Sequence, residues 1–150
     1  MLSQLQIAKG INAAMYKAGI SGVAYIQRCP ANFNRPSYYI NAVREVVRSD
    51  NRRLVRVTSY FTITCFPPLV EHQEYCTVEA LLAAQSAVMS VFRPGYLRVE
   101  DRAITVQSSS GGNTDDRAYV ELQAEYYDDR AVLSDCPKEP IADHIVIGLE

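Results

Sequence analysis

From Arg52 to Phe66 the chain alternates strictly. Val55, Val57, Ser59, Phe61, Ile63 and Cys65 fall on one side, and Leu54, Arg56, Thr58, Tyr60, Thr62 and Thr64 on the other. Period-two alternation in β-branched and aromatic residues predicts a strand, and Pro67-Pro68, which cannot donate to a sheet ladder, ends it. It is read as the centre of the sheet, with one buried and one wetter face. At about 3.3 Å per residue it would reach roughly 46 Å. A domain of this size has a radius of gyration of about 15 Å, hence a diameter near 40 Å. The expectation is a strand that either bends sharply or overhangs its domain and offers its edge to a neighbour.

Around it the period changes with position. Leu2 to Ala18 reads as a helix, with Ser3 as cap, an apolar stripe of Ile7, Ile11, Ala14, Met15 and Ala18, and Gly19 as stop. Gly10 weakens its middle, so packing must hold it. Val23 to Gln27 is a short strand and Cys29 to Pro36 a loop. Ser37 to Val47 is a second strand, apolar enough near its start to lie inside the sheet. Ser49-Asp50-Asn51 turns it into the long strand as a hairpin. Val70 to Phe92 switches to helical spacing, with Val78, Leu81, Leu82, Gln85, Val88, Met89 and Phe92 on one face and Pro94-Gly95 as its end. Leu97 to Gln107 and Ala118 to Tyr127 alternate again, and Ser108 to Asn113 between them reads as a flexible hairpin loop. From Asp128 the pattern dissolves into acids and prolines, and the apolar run Ile141 to Leu149 has no evident place in the core. The prediction is α+β: a largely antiparallel or mixed sheet of four to five strands, two helices on one face, one domain over residues 1–127, and a C-terminal arm over 128–150.

Composition narrows function more than fold. The chain has 150 residues and a formal charge of −2, which excludes a generally basic nucleic-acid binder while leaving room for a local patch. Cys29, Cys65, Cys76 and Cys136 show no CxxC spacing. Met1 leads into an amphipathic helix rather than a basic and then apolar leader, and no apolar run has the length of a membrane span. The expectation is reduced, mostly packed thiols in a protein folded in the cytoplasm, with no membrane partner.

Chemistry finds little purchase. His72, Glu74 and Cys76 could be drawn as a metal or nucleophile fragment, but zinc needs three or four convergent ligands, and polar residues at a helix start beside a packed thiol account for the trio. Asp115-Asp116 and Asp128-Asp129 are adjacent acids, which point apart in a strand. Gly111-Gly112 follows serines and precedes a strand, whereas a phosphate-cradling loop opens a helix. No catalytic residue, metal ligand or cofactor site is expected. Arg44, Arg48, Arg52, Arg53 and Arg56 gather around one turn with Glu45 and Asp50 among them. A solvated hairpin end or a protein interface is favoured there over contact with DNA phosphates, since no aromatics interleave at the turn.

The order of residues resembles a family. Arg35-Pro36-Ser37-Tyr38-Tyr39-Ile40-Asn41-Ala42-Val43 is followed by Asn51-Arg52-Arg53-Leu54-Val55-Arg56 and then by Tyr60-Phe61-Thr62-Ile63-Thr64-Cys65-Phe66-Pro67. With the amphipathic N-terminal helix, the later helix and the terminal strand pair, this is similar to the tail terminator proteins of long-tailed bacteriophages and prophages, over Leu2 to Tyr127. The resemblance implies a hexameric ring that caps the tail tube, halts its polymerisation and offers a surface for joining to the head. Implied partners are other copies of the chain, the tail tube protein, a head-completion or connector protein and, in a contractile tail, the sheath protein; DNA passes through the lumen without sequence-specific binding. The place is the head-proximal end of the virion tail, after assembly in the host cytoplasm. Subunit contacts are expected at Arg44, Arg48, Asp50, Arg52, Arg53 and Arg56, at Ser109, Gly111 and Asp115 in the second hairpin, and at Ile145 and Ile147 in the arm. A connector ring of the same virion, a small ligand-binding or enzymatic α+β domain, and a DNA-binding accessory protein are the alternatives.

Overall fold

The computed structural model describes residues 2–20 and 22–129. The N-terminal helix α1 (Gln4–Lys17) opens on a capping box, in which Ser3 Oγ accepts from the Gln6 amide at 3.1 Å and Gln6 Oε1 accepts from the Ser3 amide at 2.8 Å. Ile7, Ala8, Ile11 and Met15 are buried. Gly19, at φ +85°, ends it as expected.

The sheet has six strands: β1 (Val23–Ile26), β2 (Ser37–Ser49), β3 (Leu54–Phe66), β4 (Tyr96–Val99), β5 (Arg102–Asn113) and β6 (Ala118–Asp129). Their order is β1-β2-β3-β6-β5-β4, with β1 parallel to β2 and all other pairs antiparallel. The fold is therefore α+β on a mixed sheet. The count exceeds four to five because the stretch from Leu97 is two strands, β4 and β5, reversed at Glu100, which takes φ +55°. Glutamate carries no turn signature for that conformation, which usually falls to Gly or Asn.

Three expectations are corrected. The serine and glycine run Ser108 to Asn113 is part of β5, not a loop: Ser108, Ser109 and Ser110 pair with Leu122, Glu121 and Val120. A Cβ on Gly111 would meet Tyr119 Cβ at 3.0 Å, and Gly112 takes φ +88° at a bulge, so these glycines serve close strand approach and not flexibility. The hairpin turns instead at Thr114–Arg117, closed by the Thr114 amide donating to Arg117 O at 2.8 Å. The second helix, α2 (Val78–Val91), starts only after Thr77, whose Oγ1 accepts from the Ala80 amide. Val70 to Tyr75 is a closed turn with His72 at φ +62°, so Val78 and Leu82 stay exposed while Leu81, Gln85 and Val88 are buried. Finally, β3 offers no free edge. β2 pairs it from Ser37↔Phe66 to Ser49↔Val55, and β6 pairs it from Leu54↔Asp129 to Cys65↔Ala118.

The faces of β3 are as read. Val57, Ser59, Phe61, Ile63 and Cys65 are buried and share one core with Val120, Leu122, Ala124, Ile104, Leu97 and the inner sides of α1 and α2. At the end of the sheet where β6 finishes, Leu2 covers Tyr126, whose hydroxyl donates to Leu2 O and accepts from the Leu2 amide, both at 3.2 Å. The opposite face of the sheet carries mostly polar side chains.

Candidate interaction surface

The β2–β3 hairpin places the arginines. Asn51 Oδ1 accepts from the amides of Arg53 and Leu54 at 2.8 and 2.9 Å, which fixes the turn. A bulge at Val43, between the pairs Ala42↔Phe61 and Arg44↔Tyr60, resets the alternation of β2. Beyond it, Glu45 joins the core side and its Oε2 accepts from Ser59 Oγ at 2.9 Å, while Arg44 lands on the polar face.

There the guanidinium of Arg44 lies 4.2 Å from the Tyr60 ring centre, a cation–π contact. Arg56 stands 3.4 Å from Asp50, 3.8 Å from Glu125 and 5.4 Å from the Tyr127 ring centre. Aromatics therefore do attend the arginines. They come from β3 and β6 across the ladder, which reading along the turn could not reveal. Arg48 faces Arg56 directly across the ladder. Arg48, Arg52 and Arg53 are exposed and make no ion pair among the described residues, so the tip presents unneutralised positive charge.

Of the other expected contact residues, Ser109 shares a site with Arg44. The polar face curls into a trough of about 240 Å³ lined by Arg44, Tyr60, Thr62, Ser109, Glu121 and Gln123. That is below the usual 300–1,000 Å³ of a small-molecule pocket, and polar side chains outnumber Val43, Phe61 and Leu122 in its walls, where such pockets are mainly apolar. Gly111 and Asp115 lie toward the opposite end of the sheet from the arginine tip. Asp115 gives its carbonyl to the Cys76 amide at 2.8 Å. Ile145 and Ile147, with the arm from residue 130 onward, lie outside the described residues; Asp128 and Asp129 end β6.

The candidate catalytic fragment does not assemble. The His72 side chain is 88% exposed, beside Glu71 at 3.4 Å, while Cys76 is buried with its Sγ 3.4 Å from Pro67 O. Burial pushes the Cys76 thiol up despite the opposing charge of Arg35, and pushes Cys65 up to about 12, so neither is an activated thiolate. Among the described residues no three His, Cys, Asp or Glu side chains are placed to hold a metal.

A lock missed in the sequence sits beside Cys76. Arg35 Nη1 donates to Asp116 O at 2.8 Å and to Pro67 O at 3.0 Å, and its Nη2 meets Asp116 Oδ2 at 3.2 Å. Its guanidinium also lies 5.0 Å from the Phe33 ring centre and 5.4 Å from that of Phe66. Hydrogen bonding from Arg117, ahead of the contributions of Thr114 and Arg35 and against burial, holds the Asp116 carboxyl below its ordinary value. The lock joins three loops distant in sequence.

No protein-family model matches the sequence, and no curated protein does. Among solved structures, one whose name states no function aligns over 87% of this chain and 97% of that chain, with 13% identity and a TM-score of 0.45.

Proposed function

We propose that this protein is a tail terminator of a long-tailed phage or prophage. It acts by shape in a closed ring of identical subunits, six by resemblance, that caps the tail tube, stops its growth and presents a surface to the head. The observation that carries the reading is a sheet margin that none of the described strands covers. Beyond β1, no described strand pairs with the outer margin of β2 from Val43 to Arg48, which carries two exposed valines and leads toward a basic tip. An exposed apolar strand margin is a template for association. The shallow polar trough and the scattered His72, Glu74 and Cys76 add no support for a catalytic reading. Stopping a polymer requires one face that matches the last ring of the tube and no equivalent face for the next. The partners follow: further copies of the chain, the tube protein, a head-completion protein and, in a contractile tail, the sheath, with DNA threading the lumen.

Native mass spectrometry and negative-stain images of the purified protein test the ring. Closed rings are expected, and a monomer persisting at high concentration refutes the reading. Loss of the protein should give overlong tubes; normal-length tails without heads would point to a connector ring instead.

A further inference from the structure

The outer margin of β2 is covered only at its start. β1 pairs Ser37 to Ile40. Gln27 extends that cover one step: its amide donates to Ile40 O at 2.9 Å and its Oε1 accepts from the Ala42 amide at 2.7 Å. From Val43 to Arg48 no described strand adds to the margin. Val43 is 57% exposed and Val47 51%, so the backbone groups of this stretch that point away from β3 stand beside exposed apolar side chains.

Six residues of the same chain fit that need. His144-Ile145-Val146-Ile147-Gly148-Leu149 places Ile145, Ile147 and Leu149 at alternate positions, the pattern of a strand with one apolar side. Residues 130–150 carry Asp135, Glu139, Asp143 and Glu150 against Arg130 and Lys138, a net charge opposite in sign to Arg48, Arg52 and Arg53 at the end of the margin. Residues 130–143 link residues 144–149 to the end of β6, a tether of up to roughly 45 Å when extended. That reach covers the margin of a neighbouring subunit as well as the chain's own β2, two strand spacings or about 10 Å away, so the ring reading is what selects the neighbour.

We infer that residues 144–149 of one subunit add as an edge strand to Val43–Arg48 of the next subunit in the ring. Backbone hydrogen bonds give the contact its strength, and alternate apolar side chains set beside Val47 give it its register. The arm and the margin are different surfaces, so under the ring reading the contact passes head-to-tail from each subunit to the next; a reciprocally exchanged dimer in native mass spectrometry would overturn that arrangement. The inference rests on the ring reading and names the contact that makes the ring.

Hydrogen exchange of the full-length chain, with assembly followed by native mass spectrometry, tests it. In the ring, the amides of Val43–Arg48 that point away from β3, which are the ones read throughout, should exchange slowly. They should speed up by about 100-fold when the wild type is diluted to monomers and in the Ile145→Asp/Ile147→Asp chain, with Ile63 and Val120 as internal controls of folding. Fast exchange at Val43–Arg48 within an intact wild-type ring overturns the arm contact and leaves the ring standing. Slow exchange that survives dilution to monomers overturns it too, because the arm then folds onto its own chain. Slow exchange persisting in rings of the doubly substituted chain overturns the role of Ile145 and Ile147. A chain that never assembles refutes both readings together.

Discussion

At the scale of single residues, Arg35 has the most to lose. Its guanidinium serves two backbone carbonyls and one carboxylate, all partly buried, so Arg35→Ala leaves Pro67 O and Asp116 O with only the weak Cys76 thiol donor, while the Asp116 carboxylate keeps Arg117 and Thr114. We expect a loss of about 1–3 kcal/mol in denaturant unfolding, with Arg35→Lys recovering part of it. Asp116 adds a pH dependence. Its folded-state pKa lies below the unfolded value of about 4, so the stability it contributes is present above that value and lost as pH falls through the folded pKa. Asp116→Asn should flatten this acid limb, read as the melting temperature between pH 5 and pH 2. The thiols separate by burial. With Cys65 at about 12, roughly one molecule in ten thousand is thiolate at pH 8, so iodoacetamide should label the half-exposed Cys29 well before Cys65 or Cys76. Rapid labelling of Cys65 in the native protein would contradict the buried core face of β3.

At the scale of elements, glycine and glutamine decide how the helices sit. Gly10 looks like a weak point in α1, and alanine there would raise helix propensity by about 1 kcal/mol. Yet a Cβ would come within 2.8 Å of Val99 Cγ2, a β-branched side chain buried in β4 and unable to turn aside. Gly10→Ala should therefore destabilise, by about 1–3 kcal/mol in thermal or denaturant unfolding; a gain in stability would mean that α1 is not pressed on β4. Gln85 does for α2 what Gly10 does for α1. Its Nε2 donates to Tyr119 O at 2.7 Å and to Gly112 O at 3.1 Å, at the β5 bulge. Gln85→Leu should cost about 1–3 kcal/mol and speed amide exchange in the β5–β6 hairpin before the β2–β3 pair. The long helical reading from Val70 and the loop reading of Ser108–Asn113 failed for related reasons. Small or polar residues carry little periodicity, and their state was set by what they met: a cap at Thr77, and the backbone of β6.

At the scale of the whole molecule, the helices lie in one layer on one face, and no described helix covers the other face of the sheet. The tip charges of Arg52 and Arg53 touch nothing in the core, so Arg52→Glu/Arg53→Glu should leave the melting temperature within about 0.5 kcal/mol equivalent of wild type. Under the proposed function the same change should lower the fraction of chains in rings, as seen by native mass spectrometry, most strongly at low salt. Salt-sensitive binding of DNA, lost in that variant, would instead favour a nucleic-acid role.

Alternation and helical spacing settled a good deal locally. They gave the long β3 and its buried face, the β2–β3 hairpin, both helices and the α+β class, because a residue's side of a strand or helix follows from its position in a repeat. Pairing is another matter. That Arg35 would reach Asp116, that Arg44 and Ser109 would share a trough, that β6 would cover one edge of β3, and that no described strand would cover Val43 to Arg48 of β2 all depend on strand order and register. Those are fixed by contacts between segments far apart in the chain, whose joint burial no single stretch encodes.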